Sequence, residues 1–326
     1  MNIETIGIPQ ALLTYRFYPL WKTFFSELGL TVIESRPTDL SILTKGDSLS
    51  SDESCLASKA FIGHVDDLVG RVDALFIPSY ASGSARQGFC TKYQALPDMT
   101  ANIFRDTNTP VVSLLIQDMS DAKEAQSAYI QLGEELGRDK RTAKRAYKAA
   151  LKAQRATDAR AAKAQELQLK EIARLRQSAR EAGTAGPLVI LVVAHPYISH
   201  DAYLAGPVLE ALIEAGAYIL FADETDKKRA FKESFRFTDT MPWLISRELI
   251  GSILMLQGQV DGIVLISAFP CGPDSMTNDA IMRYIHGTPI LNLMIDAQSG
   301  TAGIQTRVES FMDILRFQQK GGYLHG

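Results

Sequence analysis

From Asp121 to Arg180 the chain runs for 60 residues without a proline and draws mainly on Ala, Lys, Arg, Gln, Glu and Leu. These are the strongest helix formers, so the run predicts one long helix or a helical hairpin. Its charge is lopsided. Gly137 to Arg180 holds 14 Lys or Arg against 4 Asp or Glu, a net +10; the whole chain carries −3, so the remainder carries −3 − 10 = −13. Large apolar residues along it are sparse: Tyr147, Leu151, Leu167, Leu169, Ile172 and Leu175. Most of such a helix must face water. It reads first as a solvated spacer and second as a docking surface for an acidic partner. Nucleic-acid binding would want interleaved aromatics or a recognisable module, and the run has neither.

On both sides the pattern changes to short apolar, β-branched runs alternating with helical stretches. Before the basic run the predicted strands are Ile6–Ile8, Leu30–Glu34, Ala74–Pro78 and Pro110–Ile116, with helices over Ala11–Leu28, Glu53–Val69 and Lys92–Phe104. After it the predicted strands are Leu188–Ala194, Ala217–Phe221, Gly262–Ser267 and Pro289–Ile295, with helices over Tyr203–Glu214, Met241–Gln257, Asp274–Ile285 and Thr301–Phe317. Continuous apolar strands between helices indicate parallel sheets covered on both faces. The expected fold class is α/β: two doubly wound parallel-sheet domains facing each other across a cleft and joined by a long, basic helical segment. The expected boundaries are 1–120 for the N-terminal domain, 121–186 for the helical segment and 187–326 for the C-terminal domain. Gly183-Thr184-Ala185-Gly186-Pro187 marks the entry to the last.

Several classes are excluded. No apolar run approaches the ~18–20 residues that a bilayer span needs. Met1-Asn2-Ile3-Glu4-Thr5 lacks the basic start and apolar core of a secretion signal, so a cytoplasmic protein without a membrane partner is expected. Three cysteines, an odd number, argue against a disulfide framework. The chain has no G-x-x-x-x-G-K-[ST] phosphate loop, and any ATP hydrolysis belongs to a partner.

In open parallel sheets, sites collect at the carboxyl ends of the strands. Cys90 follows the Ser79–Gly88 loop after one predicted strand, and Cys271 lies in Ala268-Phe269-Pro270-Cys271-Gly272-Pro273-Asp274-Ser275 after another. Cys55 lies in Ser51-Asp52-Glu53-Ser54-Cys55, where Asp52 is the expected helix cap. Pro273 fits a first helical position, which places Cys271 at a helix N-terminus. Free N–H groups and partial positive charge there favour a thiolate. The close cysteine pairs of structural zinc sites are absent, and His64, nine residues after Cys55, falls on the opposite side of a helix. A cluster or metal held by three separated cysteines remains, beside three unrelated thiols. Spacing does not choose between them.

Longer motifs add to this. Ile6-Gly7-Ile8-Pro9-Gln10-Ala11-Leu12-Leu13, Tyr18-Pro19-Leu20-Trp21-Lys22-Thr23-Phe24-Phe25, Asp52-Glu53-Ser54-Cys55-Leu56 and Cys90-Thr91-Lys92-Tyr93-Gln94-Ala95-Leu96-Pro97-Asp98-Met99 occur in order, followed by Ala194-His195-Pro196-Tyr197, Phe269-Pro270-Cys271-Gly272-Pro273-Asp274-Ser275 and Gly303-Ile304-Gln305-Thr306-Arg307-Val308-Glu309. Together they resemble the 2-hydroxyacyl-CoA dehydratase D-component-like family, whose members stand alone or are fused to ATP-dependent activators. The family is related to 2-hydroxyglutaryl-CoA dehydratase and benzoyl-CoA reductase subunits. The resemblance covers nearly the whole chain apart from the basic segment. It implies a 4Fe–4S cluster held by Cys55, Cys90 and Cys271 between the two domains. It also implies low-potential one-electron chemistry under anaerobic conditions, an ATP-dependent activator iron–sulfur protein as partner, and an acyl-CoA as the class of substrate. A non-catalytic cluster carrier or electron relay that docks to such an activator is the alternative. One position departs from the family: an expected Arg-Pro-Tyr reads His195-Pro196-Tyr197, so an anion contact by that Arg is not carried over.

His195, Tyr197 and Asp274 are candidate cleft residues. Each also has a structural reading: His195 as a loop cap, Tyr197 as packing, and Asp274 as a helix-dipole partner in the first turn after Pro273.

Overall fold

The computed structural model of the chain describes residues 3–84, 86–296 and 301–321; position 85 of the predicted Ser79–Gly88 loop lies outside them. The chain divides into two compact units, 1–157 with 240–245, and 158–239 with 246–326.

The N-terminal unit opens with β1 (Thr5–Ile8), α1 (Thr14–Glu27), β2 (Thr31–Glu34), α2 (Leu40–Leu49), α3 (Leu56–Leu68) and β3 (Ala74–Phe76). It continues with β4 (Ser79–Tyr80), α4 (Thr91–Ile103), β5 (Val111–Val112), β6 (Leu115–Ile116), α5 (Ala122–Glu135) and the start of α6 (Lys140–Glu181). Its sheet has the order β2-β1-β3-β5 and every pairing is parallel. Pro78 donates no amide, and the β3–β5 pairing resumes beyond it as β4–β6. The order reverses between β1 and β3, which makes their carboxyl ends the switch point of this sheet.

The C-terminal unit carries β7 (Val189–Val193), α7 (Pro196–Ser199), α8 (Gly206–Glu214), β8 (Tyr218–Phe221), α9 (Lys227–Glu233) and most of α10 (Leu244–Leu256). It ends with β9 (Gly262–Ala268), α11 (Gly272–Tyr284), β10 (Ile290–Ile295) and α12 (Thr301–Gln319). Its sheet, β10-β9-β7-β8, is again all parallel, with the switch point between β7 and β9. Every residue of β7 and β9 is buried, as strands covered on both faces require. Burying each Val, Ile or Leu there stabilises by about 1.5–3 kcal/mol. Both units are doubly wound α/β sheets, as the strand–helix alternation predicts.

The basic run is two helices. Gly137, at φ +77, ends α5 with its amide and that of Arg138 bonded back to Glu134 and Gly133. Asp139 then starts α6 by accepting from the Arg141 and Thr142 amides at 2.9 and 3.0 Å. The first half of α6 packs through Ala143, Ala146, Tyr147, Ala150 and Gln154. Tyr147 stacks on Tyr129 of α5 at 4.9 Å. In the C-terminal unit, Gln165 accepts from Phe221 N and Gln168 donates to Ile219 O, so α6 covers the edge strand β8. Three helices were not anticipated from sequence: α2, α7 and α9. No helix among the described residues is long and apolar enough to cross a membrane.

Candidate functional site

All strands of each sheet run the same way, so a helix that follows a strand, as α4 follows β4 and α11 follows β9, begins at the carboxyl side, whereas α3 follows α2. Cys55 is the N-cap of α3, Cys90 of α4 and Cys271 of α11. None of the three makes a side-chain capping bond. The first turns of these helices therefore keep amides that no cap side chain fills. All three cysteines are half-buried thiols outside any disulfide. Asp52 does not cap α3, because that helix begins three residues later than expected. Ser54 and Ser51 fill the interval with a hydroxyl pair at 3.0 Å.

At the carboxyl edge of the N-terminal sheet, the loop after β1 puts Leu12 at φ +51, a left-handed conformation unusual for a leucine. Glu34, at the end of β2, gathers Gln10 Nε2 at 2.7 Å, the Tyr18 hydroxyl and Lys22 Nζ at 3.9 Å. Burial, then the Glu34 carboxylate, push the Tyr18 phenol well above its ordinary range. His64 is fully buried, with Nδ1 on Ser35 Oγ at 2.8 Å and Nε2 on Thr38 Oγ1 at 3.0 Å. Both ring nitrogens are used, in keeping with its exclusion as a fourth ligand. The loop before Cys90 is held by Ser82 Oγ, bonded to Phe89 N and O, and by Gly88, whose amide and carbonyl pair with Pro242 O and Leu244 N.

In the C-terminal unit the switch point holds a buried pair. His195, the N-cap of α7 directly after β7, meets Asp274 in the first turn of α11 after β9, with Nε2 2.9 Å from Oδ1. Their side chains are 9% and 8% exposed. The imidazole stacks on Tyr197 at 5.1 Å. His195 Nδ1 and Asp274 Oδ2 are buried without a hydrogen-bond partner among the described residues. Nε2 faces the carboxylate, which leaves Nδ1 as the ring's second polar atom, buried in the site. Both residues are candidates from the sequence, and the structure pairs them. The available signal was that each follows a central strand on either side of the switch point.

His200 and Asp223 form a second pair at 2.8 Å. A groove of about 630 Å³ lies elsewhere in this unit, along residues 159–173 of α6; its Lys163 and Lys170 are both tied to Glu166. Among the described residues no group of three or more His, Cys, Asp or Glu is gathered to hold a metal ion. The three cysteines offer sulfur donors at helix N-termini, the donor type that iron–sulfur groups take.

No curated protein matches the chain. Among solved structures, a candidate phosphosugar isomerase of Bacillus subtilis aligns at 8% identity over 98% of this chain and 89% of its own, with a TM-score of 0.24. A manganese-bound variant of a periplasmic metal-binding protein from Candidatus Liberibacter asiaticus aligns at 10% identity over 95% and 99%, also at 0.24. Scores this low carry no statement about fold or function. The model of the CoA enzyme activase uncharacterised domain (DUF2229) matches residues 5–224, from β1 to the end of the Ala222–Glu224 turn and so more than half of the 326 residues, and the chain belongs to that family.

Proposed function

We propose that this protein is an iron–sulfur protein of the 2-hydroxyacyl-CoA dehydratase D-component-like type. Cys55 and Cys90 of the N-terminal unit and Cys271 of the C-terminal unit supply three thiolates to a 4Fe–4S cluster. The partner is an ATP-dependent activator iron–sulfur protein, and an acyl-CoA thioester is the class of compound acted on. Membership of the family of the CoA enzyme activase uncharacterised domain supports the activator and the acyl-CoA. One observation supports the cluster: each of the three cysteines of the chain is the N-cap of a helix, α3, α4 or α11. A 4Fe–4S cluster supplies low-potential one-electron transfer, tuned by hydrogen bonds to its sulfurs. The chain's own part is to hold thiolates at helix N-termini. Its buried His195–Asp274 pair, in the same strand-to-helix edge as Cys271, keeps the polar Nδ1 atom buried there.

The test is anaerobic purification and reconstitution, followed by iron and sulfide analysis and EPR of the dithionite-reduced protein. About four irons and four sulfides per chain are expected. Cys55→Ala, Cys90→Ala and Cys271→Ala should each lose iron or shift the EPR signal. An iron-free protein after reconstitution would sink the reading, as would a Cys271→Ala variant with unchanged iron and spectrum.

A further inference from the structure

The first half of α6 carries an organised charge. Residues 140–157 contain no Asp or Glu. Arg141, Lys144, Arg145, Lys148, Lys152 and Arg155 are all exposed. The ion pairs of α6 fall in its second half, where Lys163 and Lys170 meet Glu166, Arg174 meets Glu171, Arg176 meets Asp261 and Asp158 meets Lys227. Among the described residues none of the six cations has an ion pair. At ~100° and 1.5 Å per residue they fall within an arc of about 100° and along about 21 Å. The opposite face is the buried stripe Ala143, Ala146, Tyr147, Ala150 and Gln154, which fixes the cations outward. Like charges three and four residues apart repel on a helix, so the pattern works against the helix that carries it.

We propose that this face of α6 docks an acidic α-helix of a partner protein. Carboxylates on a helix recur at the same three-to-four-residue spacing, so they can meet these cations one for one along the length of the stripe. Nucleic acid is disfavoured because the aromatic of this half, Tyr147, is buried and offers no stacking face. Insertion into a membrane surface is disfavoured because no large apolar residue between 140 and 157 is exposed. The proposal rests on charge geometry in the N-terminal unit and is independent of any cluster.

Fluorescence anisotropy on the full chain tests it, without iron and at low and high salt. The probes are a 21-residue Ala/Glu peptide with Glu at i, i+4, i+7, i+11 and i+14, a peptide of the same composition in scrambled order, and an RNA duplex. The patterned peptide should bind about tenfold more tightly than the scrambled one and lose most of that affinity as salt shortens the Debye length. The triple variant Lys144→Glu, Lys148→Glu, Lys152→Glu should lose the patterned peptide while keeping the circular dichroism and thermal midpoint of a folded chain, which a misfolded protein would not do. Equal binding of the two peptides overturns the proposal. So does tighter binding of RNA, or a triple variant that binds as the wild type does.

Discussion

His200 and Asp223 are the residues whose environment makes the sharpest electrostatic statement. Burial lowers the His200 pKa, but the hydrogen bond and charge of Asp223 outweigh it, and the net direction is up from 6.5. A raised native value means that the folded chain holds a proton the unfolded chain has lost. That stabilisation is fully present below pH 6.5 and is lost as pH rises through the native value. Glu224 beside it is also raised, first by burial and then by Asp223, so its contribution likewise falls with pH, beginning at 4.5. The thermal midpoint should therefore decline above pH 6.5, and Asp223→Asn should flatten that decline. An undiminished slope in the variant would assign the titration to another group. The thiols at residue scale were legible beforehand, because strand ends, glycines and Pro273 mark helix starts locally. The His195–Asp274 pair was not, since 274 − 195 = 79 residues separate its members.

At the scale of elements, α1 contains Pro19, which has no amide to give and crowds the preceding turn. In an undistorted helix Leu20 N would bond Arg16 O. Here the Gln154 side chain of α6 serves both, accepting from Leu20 N at 3.3 Å and donating to Arg16 O at 2.9 Å. Gln154→Ala would leave one buried and one part-buried backbone group without this partner, at a cost of about 1–3 kcal/mol. Chemical denaturation should show that loss, and in a double-mutant cycle Pro19→Ala should reduce it. Full additivity would mean that Gln154 stabilises by packing alone. The helix α6 was legible from composition, but its glutamine contacts were not. Helix α2 has a weak signature in the sequence, because its Leu40–Leu49 run includes a glycine, a threonine and two serines. Close packing on α3 sustains it: a Cβ on Gly46 would lie 1.9 Å from Lys59 O, and one on Gly63 2.0 Å from Ile42 O.

For the whole molecule, the feature without a local signature is the return of residues 240–245 to the N-terminal unit. There Pro242 and Leu244 pair with Gly88 beside Cys90. A Cβ on Gly88 would meet Ser82 Oγ at 2.7 Å and Pro242 O at 3.3 Å. Gly88→Ala should displace Ser82 from Phe89, loosen the loop and speed alkylation of Cys90 several-fold, with Cys271 unchanged as the internal control. Equal rates at Cys90 in variant and wild type would show that the returning segment does not hold that loop. The two sets of strand–helix units, the parallel-sheet class, the basic helical run and the helix-start setting of Cys90 and Cys271 are legible along the chain. Those follow from hydrophobic periodicity, proline and glycine placement and helix propensity, which act over a few residues. Tertiary structure alone decided that His195 meets Asp274, that Gln154 serves the Pro19 turn 134 residues away and that 240–245 packs beside Cys90. Such contacts depend on strand order and on how closely two backbones can approach, and neither is written in the neighbouring residues of the chain.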